Sequence, residues 1–134
     1  MVERMSKIVL VTGGTSGIGR AVCHVLHGKG YTVYGTGRSA ENGQVLDGYN
    51  LVRMNVNDFA SVENAIRYII EKEGRIDVLV NNAGIGMAGA IEDSLVGEII
   101  DIFNTNVAGI IRTCQAVLPF MREQKSGLII NISS

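Results

Sequence analysis

Residues 12–19 read TGGTSGIG, four glycines in eight positions, set between KIVLV (7–11) and RAVCHVL (20–26). The run before the glycines is short and β-rich. After them Ile18, Ala21, Val22, Val25 and Leu26 follow a helical period. A strand therefore becomes a helix through a loop in which half the residues lack a side chain, although ordering glycine costs more entropy than ordering any other residue. At such a turn the helix's first amides are unpaired and its dipole favours negative charge. Phosphate oxygens reach those amides only where no Cβ intervenes. Gly13 is expected to make the tight turn off the strand, Gly17 to let a pyrophosphate approach the backbone, and Gly19 to let the helix pack close to the sheet. A P-loop would need Gly-Lys-Ser/Thr, whereas Gly19 precedes Arg20 and Ala21. A flexible turn is the plainer alternative.

Outward from this loop, apolar runs alternate with helical patterns. GKGYTVYGTG (28–37) ends the first helix and supplies a second strand, Tyr31 to Thr36. NLVRMNV (50–56) reads as a third strand. Asn57 or Asp58 can cap a helix whose face is Val62, Ala65, Ile66, Ile69 and Ile70, ending at Gly74. RIDVLVNN (75–82) gives a fourth strand, a long helix spans about 94–122, and GLIINIS (127–133) is a fifth strand. Continuous apolar strands alternating with helices predict a doubly wound, three-layer α/β/α fold of Rossmann type with a parallel sheet. The whole chain, 1–134, reads as one NAD(P)-binding domain that stops after that fifth strand.

Composition excludes several classes. The chain is 46% hydrophobic with a formal net charge of −1, which argues against disorder and gives no electrostatic case for nucleic acid or an anionic membrane. No apolar run approaches the ~20 residues of a membrane-spanning helix, and MVERMSK lacks a signal-peptide core. A cytoplasmic protein is expected. Cys23 and Cys114 read as small buried thiols, and His24 and His27 have no partner at ligand spacing, so no metal site is expected.

The spacing T-G-x-x-x-G-I-G over 12–19 resembles the short-chain dehydrogenase/reductase family. NNAG (81–84), NTNVAG (104–109) and GLIINISS (127–134) match three further family motifs, in order and nearly end to end. The resemblance implies that Gly13, Thr15, Ser16, Gly17, Ile18 and Gly19 hold a dinucleotide. Asn55 and Val56 match the pair that contacts adenine, with Asn55 where the family often has Asp. Asn82, Ala83 and Gly84 match the segment beside the ribose and the route to the nicotinamide. The stretch 82–121 is similar to the hydroxysteroid- and retinol-type members.

Cofactor choice rests on the end of the second strand. An acid there would accept from the ribose hydroxyls and repel a 2′-phosphate. This sequence has Gly37 and then Arg38, whose guanidinium can bind phosphate bidentately, with Ser16 as a further donor. In the family that arrangement goes with NADP(H) in preference to NAD(H); a solvated loop arginine is the alternative. The implied chemistry is hydride transfer between nicotinamide and a carbonyl or alcohol carbon. Ser134 matches the serine that polarises the substrate oxygen. Asn106, on an otherwise apolar stripe of Ile99, Ile102, Phe103 and Ile110, matches the asparagine that holds a relay water. The family's Tyr-x-x-x-Lys lies beyond that serine, and the sequence reads as lacking it. The expectation is therefore the N-terminal part of an enzyme acting on a small-molecule carbonyl or alcohol, or alternatively a non-catalytic module that binds a dinucleotide or a partner. The long helix carries a second apolar stripe, Ile100, Val107, Ile111, Cys114 and Leu118, which with the open edge of strand 128–132 predicts a homo-oligomer.

Overall fold

The computed structural model describes residues 6–133. The first strand, β1 (Ile8–Val11), is buried on both faces: Ile8 and Leu10 point into one core cluster, Val9 and Val11 into another. That division explains why the run is apolar without alternation. Helix α1 (Gly17–Gly28) follows the glycine loop and contributes Cys23 to the second cluster. Next come β2 (Thr32–Gly37), β3 (Val45–Leu46), β4 (Tyr49–Arg53), α2 (Phe59–Glu73) and β5 (Val78–Asn81). Helix α2 is capped by Asp58, whose carboxylate accepts from the amides of Ala60 and Ser61, and it ends at Gly74 in the left-handed region, φ 77°. It buries Val62, Ala65, Ile66 and Ile69 in the first cluster. Helix α4 (Gly109–Gln124) packs beside it through Ala116, Val117 and Met121, and β6 (Leu128–Asn131) closes the described chain.

The sheet has six strands in the order β3-β4-β2-β1-β5-β6. The five long strands pair in parallel; only β3 runs antiparallel, against β4. Helix α1 covers one face, α2 and α4 the other. This is the expected doubly wound sandwich with one strand more than the sequence reading supplied. Strand β3 is only two residues long, and its hairpin turns on Asp47 (φ 50°) and Gly48 (φ 88°), both at positive φ as a tight two-residue turn requires. Asp47 also pairs with Arg20 of α1 at 2.9 Å.

The predicted helix over 94–122 is built in pieces. A single turn of 3-10 helix (Ile91–Asp93) precedes α3 (Val96–Phe103), and residues Asn104–Ala108 form a π-helical turn that runs straight into α4. The amide of Gly109 donates to the carbonyl of Asn104, five residues back. Arg112 fixes the widened turn: its guanidinium donates to the Asn104 carbonyl (3.1 Å), to Asn104 Oδ1 (2.5 Å) and to the Val56 carbonyl (2.9 Å). Phe103, grouped by the sequence with Ile99, Ile102 and Ile110, is exposed beside Ile100, Val107 and Ile111. Cys114, expected as a buried thiol and grouped by sequence with Ile100, Val107 and Ile111, is half-buried near Asn81 while those three are exposed or half-exposed. Among the described residues no helix is long and apolar enough to cross a membrane.

Candidate functional site

The strand order reverses on either side of β1, and the crevice beyond the carboxyl ends of β1, β2, β4 and β5 is where a doubly wound sheet holds its ligand. Here that crevice is a cleft of about 490 Å³ lined by Gly13, Thr15, Ser16, Arg38, Asn55, Val56, Ala83 and Gly84, and also by Thr36, Gly37, Met54, Asn57, Ile85, Asp101 and Thr105. Eight of the candidates inferred from sequence thus meet in one place. A second cleft of about 560 Å³ shares Arg38 and Asn55 with it.

The glycine loop owes its shape to a polar lattice underneath. Thr12 is fully buried, and its Oγ1 accepts from the amides of Asn82 and Ala83, both at 3.0 Å. Asn82 returns its Nδ2 to the carbonyls of Thr12 (3.2 Å) and Gly13 (3.3 Å). The loops after β1 and β5 are therefore one rigid unit. Asn82 lies beneath the cleft wall and fixes it. Gly13 takes φ 65° and Gly17 φ 55°. A Cβ on Gly17 would meet nothing within 4 Å, so the space over that amide is open. Gly19 is different: a Cβ there would drive into the Gly13 carbonyl and the Asn82 amide. Its smallness brings the helix against the loop, a correction to the expected contact with the sheet. Ile18 is exposed at the helix start, outside the cleft lining.

Two residues that shape the loop escaped the sequence reading. Gly14 is the glycine that meets the sheet, where a Cβ would stand 2.6 Å from Gly35 Cα. Tyr49, fully buried on β4, donates its hydroxyl to the Gly14 carbonyl at 2.6 Å. Burial pushes that phenol up to about 12. No local pattern links Tyr49 to Gly14, which lie 35 residues apart. Thr12 could have been found, since it opens the quoted motif.

Ser16 is the N-cap of α1 but makes no side-chain capping bond, and the first turn holds no acid. Those first amides remain available to an anion. Asn55 already uses its Oδ1 to accept from the Asn57 amide at 3.0 Å, which leaves one acceptor position. Asn106 lies in the π turn, half-buried, and spends its amide on one backbone unit: Oδ1 accepts from the Ile85 amide (2.8 Å) and Nδ2 donates to the Ile85 carbonyl (2.7 Å). Ser134 lies outside the described residues. One correction concerns tyrosine. The spacing Tyr-x-x-x-Lys does occur, at Tyr68 and Lys72. Both sit on α2, with the ammonium 5.3 Å from the ring centroid, and neither lines either cleft nor follows the candidate serine.

A family model described as short chain dehydrogenase matches residues 7–134. The chain belongs to the short-chain dehydrogenase family. A curated relative, 3-ketodihydrosphingosine reductase of Bacteroides thetaiotaomicron, is 43% identical over 129 residues, covering 96% of this chain and 47% of that protein. The 3-oxoacyl-(acyl-carrier-protein) reductase FabG of Escherichia coli is 37% identical over 133 residues, covering 96% and 54%. A solved short-chain dehydrogenase from Streptomyces avermitilis superposes with a TM-score of 0.89 at 37% identity, over 98% of this chain and 50% of that one. ElxO with NADP bound gives 0.87 at 33% identity, over 97% and 56%. The chain thus spans about half the length of these four proteins.

Proposed function

We propose that this chain is the dinucleotide-binding part of an NADP(H)-dependent oxidoreductase acting on a carbonyl or alcohol. The observation that carries the reading is Arg38. It stands unpaired at the end of β2, on the rim of the cleft beyond the glycine loop, where an acid would favour the unphosphorylated ribose. The open backbone at Gly17 and the uncapped start of α1 fit a pyrophosphate. Gly13, Thr15, Ser16, Gly17, Ile18 and Gly19 would hold it, Asn55 and Val56 the adenine, and Ala83 and Gly84 the sugar beside the nicotinamide. When bound, that cofactor supplies or takes up the hydride.

In this reading Ser134 hydrogen-bonds the substrate oxygen. Asn106 is a positioning residue that clamps Ile85 at the cleft wall and keeps one N–H and one lone pair for a relay water. Two of the relatives are by name reductases of 3-keto and 3-oxoacyl compounds, which favours a ketone as the reacting group. A cytoplasmic setting accords with two free thiols.

The test is calorimetric titration of NADPH and NADH into the wild-type chain and Arg38→Ala. Preference for NADPH, reduced in the variant, supports the reading; equal affinities, or an unchanged preference, sink it.

A second reading, binding without turnover by these 134 residues, is favoured by the state of the tyrosines. Tyr34 gives its hydroxyl to Glu73 and Tyr49 gives its hydroxyl to Gly14, and neither of these nor Tyr31 or Tyr68 lines the cleft. A positioned acid or base is worth about 10²–10⁴-fold in rate. NADPH oxidation with ketones above a Ser134→Ala control would refute this second reading.

A further inference from the structure

Arg53 has no place in the family motifs, yet it lines the second cleft together with Arg38. We propose that Arg53 is a second phosphate-binding cation that, with Arg38, selects the ribose phosphate of NADP(H). The proposal rests on the NADP(H) reading and extends it to a residue on a neighbouring strand.

Strand pairing brings the two arginines together. In the parallel register of β2 and β4, Gly37 lies opposite Arg53, and Arg38 follows Gly37 directly. Neighbouring strands run about 4.8 Å apart, so both guanidinium stems start from adjacent strand ends. The start of the Arg53 stem is fixed: its amide donates to Asn42 Oδ1 at 2.8 Å, and the next amide, of Met54, donates to the Gly37 carbonyl at 3.1 Å.

Four of the other described arginines have partners, and Arg122 of α4, which has none, lies at a different cleft beside Ile129. Arg20 pairs with Asp47, Arg67 with Asn64, Arg75 with Asp77, and Arg112 holds two carbonyls and the Asn104 amide. Among the described residues, the guanidinium groups of Arg38 and Arg53 have none, and both are exposed. Like charges on neighbouring strand ends repel. A dianion between them reverses the sign, and a guanidinium pair offers a phosphate monoester two planar forks. The cleft is lined by two arginines against one acid, Asp58, which is a cationic excess, and Asp58 is held on α2 by the amides of Ala60 and Ser61. The cleft also shares Asn55 with the dinucleotide cleft, so it lies where the adenosine end of the cofactor would reach.

The experiment titrates NADPH and NADH into the wild-type chain, Arg53→Gln, Arg53→Lys and Arg38→Ala, with circular dichroism confirming the fold of each. Loss of one charge-assisted contact lowers affinity about tenfold or more. The expected result is that loss for NADPH in Arg53→Gln, unchanged NADH affinity, and a partial retention of preference in Arg53→Lys. Equal losses for both cofactors would make Arg53 an adenine-stacking or structural residue and overturn the proposal. No loss, with Arg38→Ala still affected, overturns it while leaving the NADP(H) reading intact. A wild-type chain that does not prefer NADPH overturns both.

Discussion

The carboxamide of Asn106 and the peptide unit of Ile85 close a two-bond ring, Ile85 N–H to Oδ1 at 2.8 Å and Nδ2–H to the Ile85 carbonyl at 2.7 Å. A helix residue thereby holds the backbone after β5 at the cleft wall. Asn106→Ala removes both bonds, and because the Ile85 segment is exposed, water replaces part of what is lost. The expected cost is about 1–2 kcal/mol, read by urea denaturation, with faster amide exchange at Ile85. Asn106→Asp sets a carboxylate against the Ile85 carbonyl and should cost at least as much. A variant with wild-type stability and exchange would show that the ring does not hold the loop.

Gly19 and Gly17 separate packing from ligand access. Gly19→Ala forces a Cβ against the backbone of Gly13, so something must shift, and overpacking of this kind costs about 1–3 kcal/mol. Gly17→Ala meets no atom and pays only for its left-handed backbone, about 1–2 kcal/mol. Dinucleotide affinity should nevertheless fall in Gly17→Ala by more than its stability loss explains. Paired melting and titration of the two variants check this. Equal behaviour would contradict the assignment of open space over the Gly17 amide to the ligand.

Stability should decline in alkali. Burial raises Cys23 from 9.0 to about 12 and Tyr49 from 10.0 to about 12, and it raises Tyr34 as well, aided by Glu73. The folded protein therefore holds these protons where the unfolded chain has released them. Their contribution is complete below about pH 9 and is lost as pH rises toward 12. Denaturation midpoints from pH 8 to 11 measure it. Cys23→Ala should flatten the decline. Tyr49→Phe should also flatten it, while lowering stability at neutral pH by about 1–3 kcal/mol, because the buried Gly14 carbonyl loses its donor.

The outer face of α3 and α4 should drive self-association. Ile100 and Phe103 are each 61% exposed, Ile111 53% and Val107 50%, in one stripe along the helix. Burying such a side chain fully yields about 1.5–3 kcal/mol. Light scattering across a concentration series should show growth in mass for the wild type and a monomer for the double variant Phe103→Glu, Ile111→Glu. A monodisperse wild-type monomer at high micromolar concentration would remove the expectation.

What the sequence determined by itself is local. The period of the apolar residues made β1 and α1 legible, and the glycine spacing located the phosphate loop, because helix and strand periods and missing Cβ atoms are written in neighbouring positions. Asp58 and Gly74 bounded α2 for the same reason. The hairpin at Asp47-Gly48 was also written there, but its strand of two residues is too short to show a period.

Tertiary structure decided the rest. That Tyr49 props Gly14, that Thr12 locks the loop after β5, and that Arg112 holds a π turn open against Val56 are contacts between segments far apart in sequence. They form because packing and buried hydrogen-bond satisfaction act in three dimensions. The nearness of Arg53 to Arg38 belongs to the same class: fifteen positions separate them along the chain, and only the register of β4 on β2 places them at one cleft.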